Sequence, residues 1–219
     1  MKDIHSHVLF GVDDGAPDID SSIEMLRAAK RANIDVLYAT PHMYDLKQLG
    51  PIRSAFSALK PHADKEGIDL KLGFEVYYGA IASIGADELR LLTLGESSAL
   101  LLEFDCDMLP PLWENMVIYI QRAGIDVIIA HPERYRCIQR NIDIAKRMLE
   151  LGCELQLDAC AFFGRFFSSE RRLAEKLIAN GMAAWIASDA HFADDYAYFE
   201  RATRAIGTSK PISGNIPHI

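Results

Sequence analysis

The 219-residue chain predicts an α/β protein, a seven-stranded barrel of the TIM kind distorted by having fewer than eight strands. Three observations carry this expectation. Short β-rich runs alternate with longer amphipathic stretches, which implies a parallel sheet with helical crossovers. Six of the seven runs place a histidine or carboxylate at or near their C-terminal end, where such barrels keep their chemistry. No linker, repeat or low-complexity tract interrupts the series, so one domain over residues 1–219 is expected. A doubly wound open sheet is the alternative, but it would gather ligands mainly at one switch point and not from six strands.

The first strand is Asp3-Ile4-His5-Ser6-His7, in which residues two apart share a face, so His5 and His7 can converge as metal ligands must. A loop rich in Gly and Asp follows from Leu9 to Gly15. A helix then starts between Pro17 and Ser21, with Ser21 and Glu24 at capping-box spacing, Ile23, Leu26 and Ala29 on its buried face, and Asn33 at its end. The second strand, 35–40, stops at Pro41 and leads to His42; a helix covers 51–66. The third strand, 70–77, carries Glu75. A short helical segment over 86–92 leads to the fourth strand, 99–104, which carries Glu103. Pro110 and Pro111 stand where a helix N-terminus tolerates proline, ahead of a helix over 112–123. The fifth strand, 126–130, ends at His131. A helix over 142–151, capped by Gly152, precedes the sixth strand, 154–159. Ser168 or Ser169 caps a helix that ends at Gly181, the seventh strand, 184–188, runs into Asp189 and His191, and a last helix covers 194–206.

Composition narrows the function. Half the residues are hydrophobic, enough for one substantial core, and no apolar stretch approaches the ~20 residues of a membrane span. With no signal-peptide core at the start, a soluble cytoplasmic protein without membrane insertion is expected. The net charge of -8 and the lack of a basic stripe argue against nucleic acid as a partner. Cys106, Cys137, Cys153 and Cys160 have no C-x-x-C spacing and read as reduced thiols in or near the core. A cysteine-based tyrosine phosphatase needs arginine six positions after its nucleophile. The residues there are Leu112, Asp143, Ala159 and Phe166, which excludes that class.

Glu75 and Glu103 lie inside apolar runs, and a buried carboxylate demands a cation or hydrogen-bond donors. With histidines at the neighbouring strand ends, a shared metal answers the demand better than a lone Arg or Lys. Asp13 and Asp14 read either as turn formers beside Gly15 or as the source of one oxygen ligand. Mixed His and carboxylate donors suit Mn, Fe or Zn better than Mg or Ca. His62 and His218 read as exposed bystanders. The aromatic run Phe162, Phe163, Phe166 and Phe167, after the sixth strand, reads either as packing for a substrate phenyl ring or as packing under the next helix.

Taken together, His5-Ser6-His7, Gly11-Val12-Asp13-Asp14-Gly15, Thr40-Pro41-His42, Glu75, Glu103, His131-Pro132-Glu133-Arg134 and Ser188-Asp189-Ala190-His191 resemble the polymerase-and-histidinol-phosphatase (PHP) superfamily. Within it the chain is most similar to the bacterial tyrosine-protein phosphatases of capsule and exopolysaccharide gene clusters. The resemblance covers nearly the whole chain and implies a trinuclear site, usually manganese, in a seven-stranded barrel. By position it implies one metal on His5, His7, Glu75 and Asp189, a second on Glu75, Glu103 and His131, and a third on Asp14, His42 and His191. Its implied substrate is a phosphotyrosine protein, the C-terminal tail of a tyrosine autokinase. Two positions depart from the pattern: Asp158 stands where the family often has Asn, and Met43 where a second His often follows His42.

In the reaction so implied, two close cations bridge the phosphate oxygens and lower the pKa of the attacking water. Arg134 clamps a phosphate oxygen or else pairs with Glu133 or another carboxylate, and His191 or Asp189 delivers a proton to the leaving phenolate. Unless Asp158 pairs with an Arg or a metal, its charge weakens phosphate binding. A small-molecule phosphatase of the histidinol-phosphate type and a non-catalytic metal-stabilised binding module are the competing readings.

Overall fold

A parallel strand buried on both faces needs apolar side chains on each, and the middle of this chain supplies them. On β6 (Ala99–Glu103), Ala99 and Leu101 join one apolar cluster while Leu100 and Leu102 join another; on β7 (Asp126–Ile129), Ile128 faces the first and Val127 and Ile129 the second. The computed structural model describes residues 1–163 and 168–206; Phe166, Phe167 and His218 lie outside them.

The remaining strands are β1 (Lys2–Asp3), β2 (Val36–Ala39), β3 (His42–Met43), β4 (Asp69–Leu72), β5 (Glu75–Tyr77), β8 (Glu154–Asp158) and β9 (Trp185–Ala187). They alternate with α1 (Ile19–Arg31), α2 (Leu49–Glu66), α3 (Tyr78–Ile81), α4 (Ala86–Leu89), α5 (Trp113–Arg122), α6 (Arg136–Arg140), α7 (Asp143–Glu150), α8 (Ser169–Ala179) and α9 (Tyr196–Ile206). The fold is α/β. All paired strands are parallel, in one sheet ordered β1-β2-β4 and another ordered β3-β5-β6-β7-β8-β9.

Two strands expected to be continuous, 35–40 and 70–77, are each divided in two. Pro41 has no N–H to continue the ladder. At Gly73 a Cβ would come within 2.6 Å of Leu94 Cδ2, so the backbone presses directly on that side chain. Single hydrogen bonds span both breaks, from Gly73 N to Ala39 O at 2.9 Å and from Glu75 N to Pro41 O at 3.2 Å. The first run is also shorter than expected. Past Asp3 it is tied by separate bonds, with His7 N donating to Ala190 O at 2.8 Å and Asp189 N to His5 O at 3.0 Å. Ser6 and Ala190 form an isolated parallel bridge.

The first helix begins earlier than the Ser21 capping box implies. Asp18 is its N-cap, accepting from Ser21 N at 2.8 Å, while Ser22 turns inward to donate to Val8 O. The helices pack outside the strands: α2 lies on β4, α5 on β7, α7 on β8, and α9 on β9 and α1. Among the described residues no helix is long and apolar enough to cross a membrane.

Candidate metal centre

Alternation along the strands sets the polar cluster. His42 and Glu75 are register partners on β3 and β5, and Tyr77 pairs with Glu103 on β6, so the three ligand-type side chains come from adjacent strand ends. His131 and Asp189 follow β7 and β9 with φ of 31° and 47°, left-handed values uncommon for residues with a Cβ. Backbone strain of this kind concentrates at functional sites; of the four described non-glycine residues with positive φ, His131 and Asp189 belong to the cluster, while Asn33 and Leu112 lie at helix ends.

Glu75, fully buried, is the hub. His131 Nε2 is 2.7 Å from its Oε1; His42 Nδ1, His5 Nε2 and His7 Nε2 are 2.9, 3.3 and 3.4 Å from its Oε2. Asp189 Oδ1 is 3.2 Å from the Nε2 atoms of both His5 and His7, which are themselves 3.2 Å apart. Glu103 Oε2 is 3.6 Å from His42 Nδ1. At the rim, Asp14 Oδ1 is 3.5 Å from His42 Nε2 and 3.4 Å from His191 Nε2.

The outer nitrogens decide what the inner ones can do. His5 Nδ1 donates to Gln156 Oε1 at 2.9 Å, His7 Nδ1 to Asp13 Oδ2 at 2.7 Å, and His191 Nδ1 to the Asp189 carbonyl at 2.9 Å. A neutral imidazole held in this way would turn a bare Nε2 lone pair toward carboxylate oxygens, which also carry lone pairs, whereas a protonated ring would donate to them. The arrangement calls for positive charge at its centre, supplied either by protons on the rings or by a metal ion. Glu75 Oε2 and His42 Nδ1, though close, are not aligned as a hydrogen bond, and neither makes another hydrogen bond. The His5–His7–Glu75 triangle has edges of 3.2, 3.3 and 3.4 Å, matching the ~3.3 Å ligand spacing around a tetrahedral ion with ~2.0 Å bonds.

Among the described residues, three groups have donor atoms that converge closely enough to hold an ion: His5, His7 and Glu75; His42, Glu75 and Glu103; and His7, Asp14, His42 and His191. Titration points the same way. Burial opposes a charge on His5, but Glu75 and Asp189 outweigh it and lift the imidazole to about 9. Burial opposes ionisation of Glu75 and Asp189 too, yet the imidazoles, His5 foremost by charge, hold both well below the usual carboxylate range. Burial and the charge of Glu75 push Glu103 up.

Beside the cluster, Arg134 Nη2 lies 2.6 Å from Asp158 Oδ2 and donates to Asp189 Oδ2 at 2.6 Å. Asp158 therefore has the arginine partner that its charge requires. Glu133 does not take that place: it is buried, accepts from Asp158 N at 2.8 Å, and burial and the charge of Asp158 push it up to about 8.

Asp13 and Asp14 separate cleanly. Asp13 orients His7 and caps Gly15 N, while Asp14 faces the His42–His191 pair. Gln156 is a further residue of the site, signalled in the sequence by the polar alternation Glu154, Gln156, Asp158 along an otherwise apolar strand. It holds His5 and donates to Asp158 Oδ1 at 3.1 Å. His62 is half-buried on α2, away from the cluster. Phe162 and Phe163 pack against the core, with Phe163 stacked on Tyr198 and under the Arg201 guanidinium, so Phe163 serves the last helix. The aromatic rings described beside the cluster histidines are Tyr44, against His42 and in turn Tyr77, and buried Tyr135, against His131.

Fold and site together define a parallel α/β protein built around a His–carboxylate cluster with an adjacent guanidinium, the construction of a metal-dependent hydrolase. The comparisons supply the family. The model of the capsular polysaccharide synthesis family CpsB/CapC matches residues 1–204, and the chain belongs to that family. It is similar to the tyrosine-protein phosphatase YwqE of Bacillus subtilis, 34% identical over 197 residues that make up 87% of this chain and 77% of the relative. The tyrosine-protein phosphatase CpsB of Streptococcus pneumoniae is 27% identical over 205 residues, 89% of this chain and 84% of the relative. A solved structure from work on YwqE and CpsB, described there as metal-dependent tyrosine phosphatases, superposes with a TM-score of 0.81 at 29% identity, covering 94% of this chain and 85% of that one.

Proposed function

We propose that this protein is a metal-dependent protein-tyrosine phosphatase acting in capsule or exopolysaccharide synthesis. One observation carries the reading: imidazole nitrogens and carboxylate oxygens converge around Glu75, with the Arg134 guanidinium at the edge. Family membership and the similarity to tyrosine phosphatases of this family support it.

In this reading residues 1–219 form one domain, a seven-stranded distorted barrel in which β2 with β3, and β4 with β5, are halves of single strands. The Ser6–Ala190 bridge supports closure, as does an apolar cluster that joins Ile4 and Tyr38 to Leu101, Ile128 and Ala187 from the other sheet. Three cations, manganese before iron or zinc, would be held at the centre: one by His5, His7, Glu75 and Asp189, one by Glu75, Glu103 and His131, and one by Asp14, His42 and His191. The donor groups that converge among the described residues differ from these sets: the first lacks Asp189, the second has His42 in place of His131, and the third adds His7.

Cations there would polarise the phosphoryl oxygens and lower the pKa of a water. The chain's own residues do the rest. Arg134, anchored through Nη2 by two carboxylates and 37% exposed, turns its remaining N–H groups to the substrate phosphate. Gln156 and Asp13 fix the His5 and His7 tautomers. Of the two candidates for proton delivery, His191 has the open approach, because Asp189 faces the histidines with Oδ1 and Arg134 with Oδ2. The substrate is a phosphotyrosine protein, in the cytoplasm, at the C-terminal tail of a tyrosine autokinase.

The test is metal analysis of the purified protein beside hydrolysis of a phosphotyrosine peptide and of histidinol phosphate, with and without chelator. Chelator-sensitive turnover of the peptide in preference to histidinol phosphate supports the reading. Turnover that survives complete metal removal overturns it.

A further inference from the structure

The strand register that assembles the cluster also builds a second layer above it. His42 and Glu75 are partners on β3 and β5, and each is followed two positions later by a tyrosine, Tyr44 and Tyr77. Because residues two apart share a face, these rings stand one step beyond the ligand-type residues toward solvent. Their positions agree: the Tyr44 ring is 5.5 Å from His42 and 5.5 Å from the Tyr77 ring, at 57°. Such an exposed ring is unusual beside a cluster that is otherwise mostly buried. Tyr44 is 51% exposed, among the most exposed large hydrophobic side chains described.

Neither ring is loosely held. The Tyr44 backbone sits in a locked turn, where Gln48 Oε1 accepts from Tyr44 N at 2.7 Å and from Asp45 N at 3.0 Å, and Asp45 caps Lys47 N at 2.9 Å. Tyr77 lies against the backbone of Gly79, where an added Cβ would fall 3.0 Å from its Cε1. It also contacts Tyr78, whose ring leads to Phe104 in the core. A preorganised aromatic face beside a phosphate site loses little entropy on receiving a flat ring.

We infer that Tyr44 and Tyr77 form an aromatic wall that receives the phenyl ring of the substrate and selects aryl over alkyl phosphate esters. The inference rests on the phosphatase reading above, which places the phosphoryl group over the histidine–carboxylate cluster. An aryl ester then projects its ring outward along the step the two tyrosines occupy, while an alkyl ester leaves that face unfilled.

The test is calorimetric binding of two non-hydrolysable ligands, 4-(phosphonomethyl)phenylalanine and methylphosphonate, to the metal-loaded protein, with phosphotyrosine-peptide hydrolysis and metal content measured alongside. The wild type should prefer the aryl phosphonate. Tyr44→Ala and Tyr77→Ala should each cut that preference about 3- to 10-fold, the range expected for one aromatic contact. Tyr44→Phe should restore it, since the ring and not the hydroxyl does the work. Gly79→Ala, which displaces the Tyr77 ring without deleting it, should lower the preference as well. If both alanine variants keep the full aryl preference with metal bound, the wall is overturned while the phosphatase reading stands. If the metal-loaded wild type neither binds the phosphonates nor hydrolyses the peptide, the phosphatase reading falls and the wall with it.

Discussion

Asp158 Oδ2, fully buried, lies 2.6 Å from Arg134 Nη2, so the carboxylate charge that could otherwise repel a phosphate is met inside the protein. The same nitrogen donates to Asp189 Oδ2, so the guanidinium is tied to the cluster. Arg134→Lys keeps the charge but loses the fork. kcat/KM on a phosphotyrosine peptide should fall on the order of 10- to 1,000-fold while metal content holds. Were Arg134 only structural, the variant would melt earlier and keep its specific activity per folded molecule.

His5 Nε2 faces Glu75, Asp189 and His7 within 3.3 Å, so removing its ring opens the group of donors closest to a closed coordination shell. His5→Ala should lose metal and turnover together. Metal stoichiometry by plasma emission, read beside activity, checks this, and a variant with full metal and full turnover contradicts the assignment.

The cysteines should be dispensable. Burial pushes Cys153 and Cys160 up to about 12, leaving almost no thiolate at neutral pH, and raises Cys106 as well. Cys160→Ser should retain turnover and metal. Loss of turnover with metal still bound would identify a sulfur nucleophile.

Gly15 allows the loop carrying Asp13 to pass under His7, where a Cβ would sit 2.1 Å from His7 O and 2.5 Å from His7 Cβ. Gly15→Ala must therefore shift that loop and disturb the Asp13–His7 bond. Metal affinity should fall about 10- to 100-fold, the usual loss when a ligand's orienting partner goes. Gly50→Ala is the control. It lies in α2 with nothing within 4 Å, so it should leave metal binding intact and raise thermal stability slightly.

Asp18 caps α1, and its hydrogen bonds with Ser21 hold its carboxyl below the ordinary value. A depressed carboxylate contributes stability that is present above the unfolded pKa of about 3.9 and is lost as pH falls through the lower folded value. Asp18→Ala should therefore melt about 2–4 °C below wild type at pH 7, with the gap narrowing below pH 4. Melting scans across pH test the sign, and a gap that widens in acid contradicts it.

Much of the centre was legible in the chain because metal chemistry restricts residue types and strand alternation restricts spacing. His5 with His7, and Asp189 with His191, are two apart; His42, Glu75, Glu103 and His131 each end an apolar run. These are local regularities, and they determined the α/β class, the parallel strands and the ligand-type residues. The division of two strands at Pro41 and Gly73 was less visible, because half of its cause, the pressure of Leu94 on Gly73, comes from a distant segment.

Roles that depend on which oxygen faces which nitrogen required the tertiary structure. Nothing in the chain distinguishes Asp13 from its neighbour Asp14, yet one orients His7 and the other faces His42 and His191. Arg134 could have paired with adjacent Glu133, but folding brings Asp158 and Asp189 to it and leaves Glu133 buried with its own donor at Asp158 N. Gln156 reaches His5 across 151 positions, and the left-handed turns that carry His131 and Asp189 depend on the packing around them. Residue types and short-range spacing are properties of the chain itself; hydrogen-bond partners, burial and charge compensation arise only when remote strand ends meet, because a contact angle and a desolvated carboxylate have no local signature.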